Sequence, residues 1–230
     1  MAKTFKVLSA LLSYPTEELE EAAEDLRDAL RDEALLPQAT QTALDQLIAG
    51  FAARDLYDLQ ECYVELFDRG RSLSLYLFEH VHGESRDRGQ AMIDLKALYE
   101  KHSLLTASSE LPDFLPLFLE FLSILPVEEA REQLGQISHI ASTLETRLRK
   151  RQAPYEVLFR ALGDLAVAPP VAEEVRAPAL EDEDPTDLAA IDAQWEDAPV
   201  TFGPEAAPDC REQLFARIRA ARRPAQNLEH

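Results

Sequence analysis

Cysteine is almost absent from this chain of 230 residues, which contains only Cys62 and Cys210. Cys62 falls within a helical pattern and Cys210 follows a long acidic stretch, so we expect no structural disulfide between them. Free thiols of this kind fit a reducing compartment, and we expect a cytoplasmic protein. The two cysteines also lack the close spacing that pairs of zinc ligands show, and we expect no structural zinc site.

Long hydrophobic runs are missing as well. The first apolar stretch begins at Phe5 and is cut short by Tyr14 and Pro15. It is too short to hold both the core and the cleavage site of a signal peptide. No later segment has the roughly 20 apolar residues that a membrane-spanning helix requires. We therefore expect neither a cleaved leader nor a membrane anchor.

Basic residues are scarce, because 23 Lys and Arg stand against 43 Asp and Glu and give a net charge of −20. Nucleic acids and anionic lipid head groups are bound mainly through Lys and Arg, so both are disfavoured as ligands. The charge favours a basic partner instead.

Gly70, Gly83 and Gly89 match neither the phosphate-loop nor the dinucleotide-binding spacing, so no nucleotide site is indicated.

Apolar residues recur at three- and four-residue steps through the first 167 residues, which indicates amphipathic α-helices. Prolines 15, 37, 126 and 154 separate these segments, because proline interrupts a helix or opens the next one. No internal repeat and no alternation of strands with helices is present. The sequence therefore predicts an all-α fold, with a single helical-bundle domain of about eight to ten helices at residues 1–167.

The composition changes after residue 167. Residues 168–209 contain half of the 14 prolines, and ten acidic residues lie between Glu173 and Asp197. Few apolar side chains remain there to offset the loss of chain entropy on folding. We predict a disordered acidic C-terminal tail over residues 168–227, in which Asp209–Arg223 could form a short helix. Residues 228–230 match the remnant of an expression tag.

Charged and aromatic residues are densest in the segment Glu61–Met92, called the signature stretch below. Its first part has helical spacing, and Gly70 stands where a helix favours a left-handed residue just past its end. Ser72–Phe78 alternates polar and apolar residues, which predicts an extended segment or a short strand. Charged residues and the histidines His80 and His82 then follow directly after the aromatic residues. An apolar groove rimmed by acids is what a basic amphipathic helix needs for binding.

Two strings in the signature stretch resemble those of a known family. They are Leu-Phe-Asp-Arg-Gly, ending at Gly70, and Phe-Glu-His-Val-His-Gly-Glu-Ser-Arg-Asp-Arg-Gly-Gln-Ala-Met, ending at Met92. Both are similar to the signature of the NarJ family, the assembly chaperones of respiratory nitrate reductase, within the wider TorD/DmsD group of redox-enzyme maturation proteins. Leu111–Leu115 with Glu120 is similar to a second segment of that group, although Phe114 stands where many relatives carry His. The resemblance extends from about Phe5 to Leu165.

This resemblance implies a system-specific chaperone without catalytic activity. Such a chaperone binds the N-terminal segment of the immature nitrate reductase catalytic subunit and promotes insertion of the molybdenum cofactor, bis-molybdopterin guanine dinucleotide, before membrane assembly. The complex with the apo-enzyme is transient, and no cofactor binds stably to the chaperone. The partner-binding residues implied are Leu66, Phe67, Arg69, Tyr76, Phe78, Glu79, His80, His82, Glu84, Arg86 and Asp87, with Asp113, Phe114 and Glu120 of the second segment.

Other interpretations stay open from the residues alone. The partner could be another molybdoenzyme of the wider group. His80 and His82 would point to one side of an extended segment and, with Glu79 or Glu84, could hold a metal in a small hydrolase. We expect no metal there, because structural zinc usually takes four ligands, and no catalytic residue, because no strand–turn–helix elbow surrounds a serine.

The arginines of the signature stretch also have two interpretations. They can pair with neighbouring acids and fix the shape of the segment, which we favour. Alternatively, they can contact anionic groups such as the phosphates of a pterin dinucleotide. The arginines concerned are Arg69, Arg71, Arg86 and Arg88. The large apolar side chains can likewise belong to the core rather than to a groove.

Overall fold

The computed structural model describes residues 2–81, 87–104 and 110–167 of the chain. These residues form helices joined by short connections, and their only pairing of β type is an isolated antiparallel bridge between Tyr76 and Phe114. The prediction of an all-α fold is confirmed. The predicted tail and tag remnant, residues 168–230, lie outside the described residues. The helices are α1 Lys3–Leu12, α2 Glu17–Glu21, α3 Ala23–Glu33, α4 Gln38–Ala53, α5 Leu56–Phe67, α6 Leu77–Val81, α7 Asp87–Lys101, α8 Leu115–Ile124, α9 Val127–Gln136, α10 Ser138–Lys150 and α11 Glu156–Leu165.

Proline marks two helix starts, as the sequence predicts, and aspartate marks another. Pro37 and Pro126 stand immediately before α4 and α9, where a fixed φ favours the first turn. Asp55 caps α5, and its carboxylate accepts a hydrogen bond of 2.9 Å from the Tyr57 amide. The described residues form eleven α-helices against the predicted eight to ten, because α6 begins within the segment predicted as extended and two predicted helices are divided. One is divided at Ala22 and the other at Ile137.

The core is built around α1 and α8, which lie against each other. The Ala2 amide donates to the Ser123 carbonyl at 2.8 Å, and the Ser9 hydroxyl donates to the Pro116 carbonyl at 2.7 Å, so the two helices run antiparallel. Helices α3, α4, α10 and α11 complete the bundle. Full burial of each large apolar side chain contributes about 1.5–3 kcal/mol, so this core provides most of the stability. Its largest members include Phe5, Tyr99, Phe121, Tyr155 and Phe159.

The segment predicted as a strand has a different structure. Arg71–Leu73 forms a 3₁₀ turn, Tyr76 makes the isolated bridge, and α6 begins at Leu77. Leu73, Leu75 and Leu77 are buried, as the alternating pattern predicts. The β-pairing does not extend beyond the one bridge, because the segment opposite Tyr76 enters α8 at Leu115. The Leu115 amide donates to the Leu75 carbonyl at 2.8 Å, and the Leu77 amide donates to the Asp113 carbonyl at 3.0 Å.

Two local predictions in this stretch are wrong. Gly70 has φ −144° and ψ 151°, an extended conformation rather than a left-handed one. A Cβ at Gly70 would meet no atom within 4 Å, so neither conformation nor space requires glycine there. His80 lies in helix α6 and not in an extended segment. The extended geometry assumed for a shared metal site is therefore not present at His80, and His82 lies outside the described residues.

None of the helices within residues 2–81, 87–104 and 110–167 combines the length and low polarity needed to cross a lipid bilayer.

Candidate functional site

A cavity of about 440 Å³ opens where the end of α1, the second half of α5 and the bridge between Tyr76 and Phe114 meet. We call it the aromatic groove. Five aromatic rings line it, together with apolar and acidic neighbours. Its lining residues are Ser13, Tyr14, Tyr63, Val64, Phe67, Asp68, Leu75, Tyr76, Glu110 and Phe114.

The rings of the groove are held in fixed positions by each other and by hydrogen bonds. Tyr76 and Phe114 pack with ring centroids 5.3 Å apart, directly over the β-bridge that joins their backbones. Tyr14 meets Tyr63 edge to face at 5.6 Å, and Tyr63 packs on Phe67 at 5.1 Å. The buried Tyr63 hydroxyl donates to the Leu12 carbonyl at 3.0 Å. Tyr14 is 49% exposed, so the groove presents aromatic surface to a partner.

Two acidic residues at the groove give it a negative rim. Glu110 is exposed and accepts a hydrogen bond of 2.7 Å from the Tyr76 hydroxyl. Asp68 is exposed at the C-terminal end of α5. Burial raises the pKa of Tyr76 to about 12, and the hydrogen bond to Glu110 and the charge of that residue add to the shift. Tyr76 is therefore a neutral hydrogen-bond donor at physiological pH.

Asp113 joins the groove wall to α6 from inside the protein. It is fully buried, and its Oδ2 accepts a hydrogen bond of 3.0 Å from the Phe78 amide in the first turn of α6. Within the described residues, its Oδ1 has no hydrogen-bond partner. Burial raises the pKa of Asp113, while the bond from Phe78 and the charge of Arg88 act in the opposite direction. Asp113 therefore positions the wall and is not presented at the surface.

His80 is buried behind the same wall. Its Nε2 lies 2.8 Å from the Ser74 carbonyl, so this nitrogen carries the proton and donates. Burial lowers the pKa of His80, the Ser74 carbonyl opposes that shift, and the Arg147 charge adds to it. Arg147 donates from Nη1 to the Ser72 carbonyl at 2.6 Å. These two side chains fix the turn that leads into Tyr76.

The structure brings three of the sequence-predicted residues together in the groove, namely Phe67, Tyr76 and Phe114. Leu66 and Phe78 are half-buried against the core and do not line it. His82, Glu84 and Arg86 lie outside the described residues, as does the side chain of Asp87. Their participation in partner binding stays a prediction.

The charged residues of the prediction lie around the groove rather than in it. Glu79 pairs with Arg88 at 3.6 Å, and exposed Arg69 pairs with Glu65 at 3.5 Å. These pairs support internal ion pairing of the arginines. Glu120 pairs with Lys6 at 3.1 Å on the surface between α1 and α8.

Sequence reasoning missed the other seven lining residues, among them Tyr14, Tyr63, Asp68 and Glu110. The sequence gives only a weak signal for Tyr14, because an aromatic residue beside a helix-ending proline can equally well belong to the core. Glu110 carries none, since its importance depends on the position of Tyr76, which is 34 residues away. In residues 2–81, 87–104 and 110–167 no three His, Cys, Asp or Glu side chains converge as metal ligands.

Comparison with solved structures identifies the class of fold. A protein from Archaeoglobus fulgidus, assigned as a redox enzyme maturation protein, superposes with a TM-score of 0.51 over 71% of this chain and 91% of its own. At 24% sequence identity this similarity concerns the fold alone. The class is thus an all-helical protein that shares the fold of this archaeal protein.

Sequence comparison then gives the family. The family described as nitrate reductase delta subunit matches residues 14–161, and the chain belongs to this family. The nitrate reductase molybdenum cofactor assembly chaperone NarJ of Escherichia coli K12 is 45% identical over 204 residues, which cover 85% of this chain and 83% of that protein. A Bacillus subtilis protein assigned the same chaperone name is 33% identical over 76% of this chain and 96% of its own.

Proposed function

We propose that this protein is a chaperone for molybdenum cofactor assembly of nitrate reductase and acts without catalysing a reaction of its own. Family membership and the name of the Escherichia coli relative support the role. We further propose that it binds the N-terminal segment of the catalytic subunit, in the cytoplasm. The observation that carries this finer proposal is the aromatic groove, whose exposed rings and acidic rim suit a basic amphipathic segment.

The affinity would come mainly from apolar burial. One large side chain that becomes fully buried contributes about 1.5–3 kcal/mol, while an exposed ion pair contributes about 0–1 kcal/mol. Micromolar binding corresponds to about −8 kcal/mol. The groove must therefore receive more than one apolar side chain, which a helix presents at three- and four-residue spacing.

The chaperone role then follows from linked equilibria. A ligand that prefers the immature catalytic subunit shifts the population toward that state by the difference in its affinities and by no more. Once the bis-molybdopterin guanine dinucleotide is inserted and the subunit closes, that preference disappears and the chaperone dissociates. The proposed complex is transient, and the cofactor binds stably to the partner rather than to this chain.

Calorimetric titration tests the proposal. The probe is a synthetic peptide copying the first residues of the nitrate reductase catalytic subunit from the same organism. We expect saturable binding at micromolar concentration or tighter by the wild-type chain. The Phe114→Ala variant should bind at least tenfold more weakly, whereas Ile93→Ala should bind normally, because Ile93 is 63% exposed on α7 outside the groove. Absence of binding at low salt would refute recognition of this segment.

A further inference from the structure

The two acidic residues of the groove come from different segments of the chain and meet at the aromatic rings. Asp68 belongs to the end of α5, and Glu110 belongs to the segment that leads into α8. The fold brings both to the aromatic rings, and both charges act on the phenol of Tyr63, whose pKa is raised chiefly by burial and further by these neighbours. A side chain that enters the groove therefore experiences two carboxylates as close neighbours.

Tyr76 gives Glu110 a defined orientation. Its hydroxyl donates a hydrogen bond of 2.7 Å to Oε2 of Glu110. Tyr76 also packs on Phe114, so the same side chain orients the acid and forms the apolar wall. The apolar wall and the negative charge therefore lie at a fixed distance from each other. This arrangement distinguishes a partner with a matching apolar and basic pair from a partner without one.

We propose that Asp68 and Glu110 determine the specificity of the aromatic groove. They select a segment of a partner protein in which Lys or Arg stands within one helical turn of a large apolar side chain. Residues three or four apart on a helix have Cβ atoms about 5–6 Å apart, so an apolar side chain between the rings places its basic neighbour at the rim. This inference rests on the proposed function, because it treats the groove as a site for a protein segment.

The same arrangement excludes acidic segments. A carboxylate or a phosphorylated side chain next to the apolar anchor would face two like charges, and like-charge juxtaposition is costly at an interface. Rim charges act mainly on the association rate and on salt dependence. The selectivity conferred by Asp68 and Glu110 should therefore weaken as ionic strength rises and the Debye length shortens.

Selection from a displayed library of random twelve-residue peptides tests the inference without assuming the natural partner. The wild-type chain is compared with a double variant that carries Asp68→Asn and Glu110→Gln. Because both residues are exposed, the double variant should keep its helical circular dichroism and melting temperature. A second double variant, Glu128→Gln with Glu132→Gln, is the matched control, since both acids are exposed on α9 and the net charge changes equally.

On the wild type we expect Lys and Arg to be enriched within four positions of an aromatic or large aliphatic residue. The groove double variant should lose that enrichment, and individual selected peptides should bind it about three- to tenfold more weakly at low salt. The α9 control should select the same peptides as the wild type. Equal enrichment on all three proteins would overturn the inference, because the chain-wide charge would then explain it.

The library and the titration separate the two proposals. If the library selects basic apolar peptides through Asp68 and Glu110 but the catalytic subunit peptide does not bind, the specificity assignment stands and the proposed partner segment is wrong. If that peptide binds the wild type and the groove double variant equally at low salt, the partner segment stands and the specificity assignment is overturned.

Discussion

Arg147 of α10 donates a hydrogen bond of 2.6 Å to the backbone carbonyl of Ser72, 75 residues earlier in the chain. Arg147 is only 8% exposed, so the bond lies inside the protein and anchors the turn that precedes the groove. Ser74 is held from the same side by His80. The position of Tyr76, and with it the wall of the aromatic groove, therefore depends on two buried side chains, Arg147 and His80.

Replacing Arg147 with Met should destabilise the fold, because the Ser72 carbonyl loses a charge-assisted donor in a buried setting. We expect a loss of about 1.5–3 kcal/mol in the free energy of unfolding, measured by urea denaturation. Arg31→Gln is the control, since that side chain is half exposed and its ion pairs are superficial. The control should change stability by less than about 1 kcal/mol. Equal effects of the two substitutions would contradict the anchoring role.

Stability should fall as the pH is lowered through the His80 titration. Burial lowers the pKa of His80 in the folded protein, so the unfolded chain binds a proton at higher pH than the folded one. The stabilising contribution is complete above the unfolded pKa of about 6.5 and is lost as the pH falls below it. We expect His80→Gln to lose less unfolding free energy between pH 7.5 and pH 5.5 than the wild type does.

The pKa of His139 is also lowered by burial and contributes in the same direction. The pH series therefore includes His139→Gln as a second variant. Because His80 is more deeply buried, its substitution should flatten the pH dependence of stability more than the substitution of His139 does. An unchanged slope in His80→Gln would show that His80 is not the group responsible.

Two aromatic substitutions should have different effects, one on peptide binding and the other on the stability of the fold. Tyr14→Ser removes an exposed groove ring and should weaken peptide binding about fivefold or more, with little change in melting temperature. Phe78→Ser removes a half-buried ring packed on the core and should lower the melting temperature clearly. Tyr57→Ser serves as the control, because Tyr57 is 79% exposed outside the groove. A Tyr14 variant that binds normally would place the partner elsewhere.

Asp113 should act through hydrogen bonding rather than through its charge. Asp113→Asn keeps an acceptor for the Phe78 amide and removes a carboxylate whose ionisation burial disfavours. Asp113→Ala leaves that amide without its acceptor, at a cost of about 1–3 kcal/mol. We therefore expect Asn to be clearly more stable than Ala in urea denaturation at pH 7. If both substitutions destabilise equally, the buried charge itself contributes to the fold.

Most of the secondary structure was predictable from local pattern. The three- and four-residue spacing of apolar side chains and the positions of Pro37 and Pro126 locate helices that the structure contains. Short-range features of this kind are decided within one or two turns of chain. The extended segment or short strand predicted at Ser72–Phe78 is present only around the Tyr76 bridge, since alternation shows which side chains are buried and not whether a partner strand exists.

The sequence by itself determined the helical class, the negative charge and the family, because periodicity, composition and the signature strings are properties of the chain alone. Only the tertiary structure decided which residues form the groove. Tyr14, Phe67, Tyr76 and Glu110 come from separate elements, and packing of α1 against α8 with the Tyr76–Phe114 bridge brings them to one surface. The same packing turned His80 inward, because helix α6 buries that side chain against the turn it supports.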